Sequence, residues 1–273
     1  MIQDIAPHTY HNEYKPVAPD KESHILAYGE GNILMKKDGE TITLPSFGEL
    51  EGKVENLYEN YIYLFSVDEE HFYLIPDLDT SLLPGYQFEI IRVLRTAEPQ
   101  YLAFAGITAY QLYLWYESRK FCGCCGSPLR HDEKERMMYC DHCHAMEFPK
   151  ISPAVIIGLT HKNRLLLSKY AGRTYKKYAL LAGYTEIGET VEETVSREVM
   201  EEVGLPVKNI RYYKSQPWPF SSTVLMGFFC DLDGDDETIT LDANELALAQ
   251  WFERDEIPVT PSRDSLTNEM IMA

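Results

Sequence analysis

Five of the six cysteines fall within Cys122–Cys143, and that crowding limits the possible folds more sharply than any other feature. The order is Phe121-Cys122-Gly123-Cys124-Cys125-Gly126 and then Cys140-Asp141-His142-Cys143, with fourteen residues between Cys125 and Cys140. A C-x-x-C turn presents two thiolates to one point, and Zn²⁺ takes four such ligands in a tetrahedron. The spacer is slightly shorter than the usual range of about 15–20 residues, a length that two short β-hairpin arms accommodate. The natural first pair is Cys122 with Cys125, and Gly126 permits the turn that follows it. Cys140 and Cys143 complete a four-cysteine zinc site, leaving Cys124 as an extra thiol. Redox cysteines, or a mixed ligand set using His142 or His144, are the alternatives at this level. A closed four-ligand site has no open position for chemistry, so its role is to hold the middle of the chain together.

The cysteines also divide the chain. At roughly 150 residues per domain, 273 residues suggest about two domains. Hydrophobic residues make up 45%, enough to bury a sizeable core and to exclude disorder or a tiny disulfide scaffold. Residues 1–117 alternate in short runs (Tyr61–Phe65, Phe72–Ile75, Phe88–Val93) around turns such as Pro84-Gly85, the pattern of a mostly β, tyrosine-rich domain. A helix over Ala109–Tyr116 is expected to lead into the cysteine module at 118–149. Residues 150–273 open with strand-like runs at Ala154–Leu159 and Arg164–Ser168, then a glycine-bearing loop and an amphipathic helix. The opening MIQDIAPHTY has no basic n-region or apolar h-region, and no stretch is apolar enough for a membrane span. Together with C-x-x-C pairs this leads us to expect a soluble cytoplasmic protein with no membrane partner. Twenty-five basic against 43 acidic residues give a net charge of −18, which repels an extended phosphate backbone. A small phosphorylated ligand remains open, because a bound metal supplies positive charge.

The most informative stretch is Gly183 to Leu205. Thr190 and Glu193 form a capping box that starts a helix, and Gly204 supplies its stop. Glu198, Glu201 and Glu202 stand at i, i+3 and i+4, on one helical face, where like charges repel. Either the face is simply solvated, or it gathers a hard divalent cation such as Mg²⁺ or Mn²⁺, which prefers carboxylate oxygens.

The full string resembles the Nudix box, G-x5-E-x7-R-E-U-x-E-E-x-G-U with U apolar. Gly183, Glu189, Arg197, Glu198, Val199, Glu201, Glu202, Gly204 and Leu205 occupy every fixed position. The resemblance implies an α/β/α sandwich around a mixed sheet, preceded here by the zinc ribbon and a mostly β N-terminal domain. It also implies hydrolysis of a nucleoside diphosphate linked to another group. In that family Glu198 and Glu202 hold Mg²⁺ or Mn²⁺, Glu201 is a further ligand or a base acting through water, and Arg197 pairs with Glu189. The backbone carbonyl of Ala182 also reaches the metal.

A second motif, Ser215-Gln216-Pro217-Trp218-Pro219-Phe220, is similar to the SQPWPF signature of the NADH pyrophosphatase subfamily. Two prolines stiffen the loop, while Trp218 and Phe220 offer flat faces for base stacking. The subfamily usually continues Pro-x-Ser; this chain has Ser221-Ser222-Thr223, in which Thr223 keeps the hydroxyl. The order of N-terminal domain, ribbon, Nudix box and SQPWPF matches that subfamily. There, the glutamate of an E-L-x-x-A-x-W segment completes the metal site, and Glu245 in Glu245-Leu-Ala-Leu-Ala-Gln-Trp251 occupies its place. By motif position Tyr184 and Phe148 would stack on a base, Glu135 would contact the ligand, Thr267 would line the pocket edge and Arg92 would meet a phosphate or ribose. The implied activity is hydrolysis of NAD(H) to NMN(H) and AMP by a homodimer, with removal of NAD caps from RNA 5′ ends as a second substrate class. Another Nudix substrate (ADP-ribose or a diadenosine polyphosphate) is an alternative, and a non-catalytic nucleotide sensor is one of a different class.

Overall fold

The computed structural model describes residues 1–172, 177–262 and 265–273. They form two compact units. One comprises Met1, 151–218 and 222–273, the other 2–150 and 219–221.

The first unit is built on a six-stranded mixed sheet. Its elements are β1 (Ser152–His161), β2 (Arg164–Tyr170), β3 (Leu181–Tyr184), α1 (Val191–Val203), β4 (Val207–Trp218), β5 (Thr223–Leu232), β6 (Leu246–Glu253) and α2 (Leu266–Met272). The strands run in the order β4-β5-β1-β2-β6, with β3 hydrogen-bonded to β1. Only β1 and β5 pair in parallel. The central strand β1 is almost continuously apolar, as expected for a strand covered on both faces. Val155, Ile157 and Leu159 pack with Val195, Val199 and Val203 of α1. Ile156, with Leu165 and Leu167 of β2, packs with Leu266, Met270 and Ile271 of α2. The period of two along β1 therefore sends alternate residues to opposite helices, which makes the unit an α/β/α sandwich. Each fully buried valine of α1 contributes roughly 1.5–3 kcal/mol of apolar burial, so this face fixes the helix firmly against the sheet.

Local signals set the ends of α1. The Thr190 hydroxyl accepts from the Glu193 amide at 3.2 Å, while the Glu193 carboxylate accepts from the Thr190 amide at 2.8 Å. Gly204 ends the helix in the left-handed conformation, φ 70°.

The second unit holds two four-stranded sheets and the three-stranded sheet of the cysteine module. The helix expected over 109–116 is much longer, spanning Gln100–Ser118. It is buried around much of its circumference, so its first half shows no single apolar stripe. The run expected as a strand over Phe88–Val93 divides into a strand at Gln87–Ile90 and a 3₁₀ turn at Ile91–Arg95. No helix among the described residues is long and apolar enough to cross a membrane.

Candidate active site

Strand β3 places the box glycine directly beneath α1. A Cβ on Gly183 would lie 1.8 Å from the Glu198 carboxyl carbon, so only glycine lets the strand pass this close to that side chain. Glu198 is 8% and Glu202 2% exposed, one helical turn apart on the face toward the sheet. Glu201 turns away from them and is exposed.

Arg197 organises the surroundings. Its guanidinium donates to both Glu189 oxygens (2.7 and 3.0 Å), to the Tyr184 carbonyl (2.9 Å), to Glu198 (2.9 Å) and to Glu201 (2.8 Å). This fork holds the Glu189 pKa down at about 2, far below an ordinary glutamate. Glu189 also accepts from the Glu186 amide at 3.0 Å and from the Thr194 hydroxyl at 2.9 Å, which closes the loop before the helix. Thr194 is fully buried, and nothing in the motif signals its part, because the position is unspecified within the box.

Glu198 behaves oppositely. Burial raises its pKa, the Arg197 guanidinium offsets part of the rise, and the charges of Glu201 and Glu245 push it further up. Glu245, at the entrance to β6, therefore lies within electrostatic reach of Glu198. Two nearly buried carboxylates, with a third in electrostatic reach of Glu198 and one guanidinium shared among several partners, concentrate anionic charge here. An oxygen-preferring divalent cation would compensate it, so Glu198, Glu202 and Glu245 fit Mg²⁺ or Mn²⁺ in donor type and charge. The Ala182 carbonyl stands in β3 one residue before the box glycine, opposite Ile156 of β1.

The SQPWPF segment does not form a separate loop. Ser215–Trp218 are the last residues of β4, and Pro219–Ser221 form a 3₁₀ turn. Gln216 is fully buried, and its side-chain Oε1 accepts from the Leu266 amide at 2.7 Å, anchoring the start of α2, the helix that carries Thr267. Pro217 is exposed and Trp218 half-buried. Tyr184 is 53% exposed, with its hydroxyl 3.4 Å from that of the buried Thr223. Pro219, Phe220 and Ser221 belong to the other unit, where Phe220 packs on the apolar core, and Ser222 follows with φ 54°. Arg92, Glu135 and Phe148 are all exposed residues of that other unit as well.

In the ribbon the sulfurs of Cys122, Cys125, Cys140 and Cys143 lie within 4.8 Å of one another. Cys122–Cys143 and Cys125–Cys140 approach at 3.4 and 3.5 Å. A tetrahedral site with Zn–S of about 2.3 Å needs sulfurs about 3.8 Å apart, so the four thiols fit Zn²⁺. The two arms turn alike. Gly126 and His144 each follow a second cysteine with positive φ (74° and 61°) and each donates its amide to the carbonyl of the first, Cys122 or Cys140 (2.9 Å). The His144 ring bonds the Tyr139 hydroxyl at 2.7 Å, and neither histidine nor Cys124 joins the cluster.

A family model described as NUDIX domain matches residues 150–270. The NAD-capped RNA hydrolase NudC of Klebsiella pneumoniae (strain 342) is 37% identical over 182 residues, covering 66% of this chain and 69% of that protein. The protein of the same name from Salmonella schwarzengrund is 38% identical over 161 residues, covering 59% of this chain and 62% of that one. The chain thus spans about three-fifths of the Salmonella relative's length. Among solved structures, a NUDIX hydrolase from Nitrosomonas europaea aligns with a TM-score of 0.45 and 31% identity over 51% of this chain and 80% of that one. The identity to the Klebsiella protein over more than two thirds of its length, with the family match, shows that the chain belongs to the Nudix family, within its NudC-like branch.

Proposed function

We propose that the chain hydrolyses the pyrophosphate bond of NAD(H), releasing NMN(H) and AMP, and acts on that bond also where NAD caps an RNA 5′ end. The observation that carries this reading is the paired burial of Glu198 and Glu202, braced by Arg197 and Glu189 and flanked by Glu245. The SQPWPF segment and the names of the NudC relatives support the dinucleotide as substrate.

Glu198, Glu202 and Glu245 would hold Mg²⁺ or Mn²⁺, with the Ala182 carbonyl as a further donor. When bound, the cation neutralises charge on the diphosphate oxygens and activates a water. Glu201, solvent-facing and bonded to Arg197, would serve as a further ligand or as a base acting through water. Arg197 keeps Glu198, Glu201 and the Glu189 loop in register, which is the preorganisation that electrostatic catalysis needs. Tyr184 and Trp218 offer aromatic faces to the bases, and Gln216 holds the helix that carries Thr267. By motif position Ser222 and Thr223 of this unit, and separately Phe148, Glu135, Arg92 and residues 219–221 of the other unit, are the remaining candidate substrate contacts.

The organisation is an N-terminal domain (1–117), a structural zinc ribbon (118–149) and a Nudix domain (150–273), working as a cytoplasmic homodimer. Product analysis with NADH, NAD-capped RNA, ADP-ribose and a diadenosine polyphosphate, with Mg²⁺ or Mn²⁺ present, tests it. NMN(H) and AMP from NADH are expected as the main products. Preference for ADP-ribose would overturn the substrate, and no hydrolysis of any of the four would overturn the activity.

A further inference from the structure

The segment from Thr238 to Glu245 has no regular secondary structure, yet it is tied to the helix that carries the box glutamates. The last carbonyls of a helix lack partners within it. Here two of them accept from the passing segment: Val203 from the Thr240 amide at 2.9 Å and Glu202 from the Asp242 amide at 3.0 Å. The fit is close at this point, since a Cβ on Gly204 would lie 2.8 Å from that of Thr240. The chain then turns on Asp242. Its carboxylate accepts from the amide and the side-chain nitrogen of Asn244 at 2.9 and 3.0 Å, and its carbonyl accepts from the amides of Glu245 and Leu246 at 3.2 and 2.9 Å. The Glu245 carbonyl in turn accepts from the Ala171 amide at 2.8 Å.

Ala243, Asn244 and Glu245 are all exposed, so no apolar packing fixes them before Leu246, which is 1% exposed. Glu245 is held by this polar turn and by the Ala171 amide on its carbonyl. From this geometry we infer that Asp242 is a positioning residue: its carboxylate folds the turn by which the chain passes from the Glu202 carbonyl to Glu245. The bond to the Glu202 carbonyl makes the helix and the loop one rigid support for an ion. The inference rests on the reading of Glu198, Glu202 and Glu245 as metal ligands. An asparagine at 242 retains an oxygen that can accept from residue 244, whereas alanine does not.

Titration of the full chain with Mn²⁺ alone, following free ion by electron paramagnetic resonance, tests this alongside thermal melting. D242A should weaken Mn²⁺ binding about 10-fold, the scale found when groups supporting a metal ligand are removed. D242N should stay within about twofold of the unsubstituted protein. Adding D242A to E245A should cost less than about twofold more, because the aspartate acts through the glutamate. Binding by D242A as tight as in the unsubstituted protein would overturn the inference and leave the metal site standing. So would losses in the two single variants that multiply in the double variant, or an equal loss in D242N, either of which would make Asp242 itself a ligand. Absence of Mn²⁺ binding by the unsubstituted protein would overturn the metal site and the inference together.

Discussion

Glu198 and Glu202 are nearly sealed from water, and two anions in that position need either protons or a cation. Burial has already raised the proton affinity of Glu198. Glu202→Gln keeps the shape and removes the charge. It should lower turnover by roughly 10²–10³-fold, the scale of losing one preorganised charged group, with the fold retained. Comparing initial rates and melting curves with the unsubstituted protein checks this, and a rate near that of the unsubstituted protein would remove Glu202 from the metal site. Glu189 lies on the opposite side of neutrality. Its pKa falls from 4.5 to about 2 because Arg197 bonds its charged form. A depressed carboxylate adds stability above its unfolded pKa, and that stability is lost as pH falls toward the folded value. Between about pH 4.5 and about pH 2 the unfolded chain takes up a proton that the folded chain refuses. Glu189→Gln should therefore flatten the acid limb of urea-unfolding stability by up to one proton, with little change in slope above pH 5. An unaltered acid limb would show that the Arg197 fork does not bind Glu189 selectively in its charged form. The residues of this brace were readable from their fixed spacing. Thr194 and Asp242 were not, since their work depends on partners at unspecified positions.

Elements with local determinants were the most legible. The capping box at Thr190 and the left-handed stop at Gly204 use neighbours in the chain, and both ends of α1 fall where those residues place them. The helix Gln100–Ser118 was half seen, because burial around much of its circumference hides the 3.6-residue stripe. Gln216 shows a different limit: its motif suggests a loop contact, while its partner is an amide fifty residues further on. The ribbon was legible because C-x-x-C spacing carries the geometry of its own ligand. Short strands of two residues, Arg130–His131, Met138–Tyr139 and Met146–Glu147, bury too little to hold themselves together. Their order must come from the sulfur cluster. Cys140→Ser replaces a fully buried ligand and should abolish stoichiometric zinc and lower the melting temperature; strong chelation should do the same to the unsubstituted protein. Elemental analysis with calorimetry would decide, and a variant that kept both zinc and melting point would refute the structural site.

At the scale of the whole molecule, charge sets the terms on which a substrate arrives. The chain carries a net −18, and the proposed site itself is built from carboxylates. A free dinucleotide brings few negative charges, whereas capped RNA adds one with each nucleotide. Repulsion at long range therefore grows with RNA length, and salt screens it, the Debye length shrinking from about 30 Å at 0.01 M to about 8 Å at 0.15 M. A protein that grips RNA through lysines and arginines behaves the other way, since counterion release makes its affinity fall steeply as salt rises. Here the exposed basic residues of β4 are already engaged: Lys208 with Asp233, Arg211 with Asp231 and Lys214 with Glu269. No strong counterion-release effect is expected from that strand. Raising monovalent salt from about 0.01 to 0.15 M at fixed Mg²⁺ should thus lower KM for a capped RNA of about 30 nucleotides, and leave KM for NADH within about twofold. Steady-state kinetics on both substrates across that range would measure the sign directly. A KM for capped RNA that climbed with salt would mean that a cationic track dominates the encounter despite the overall charge.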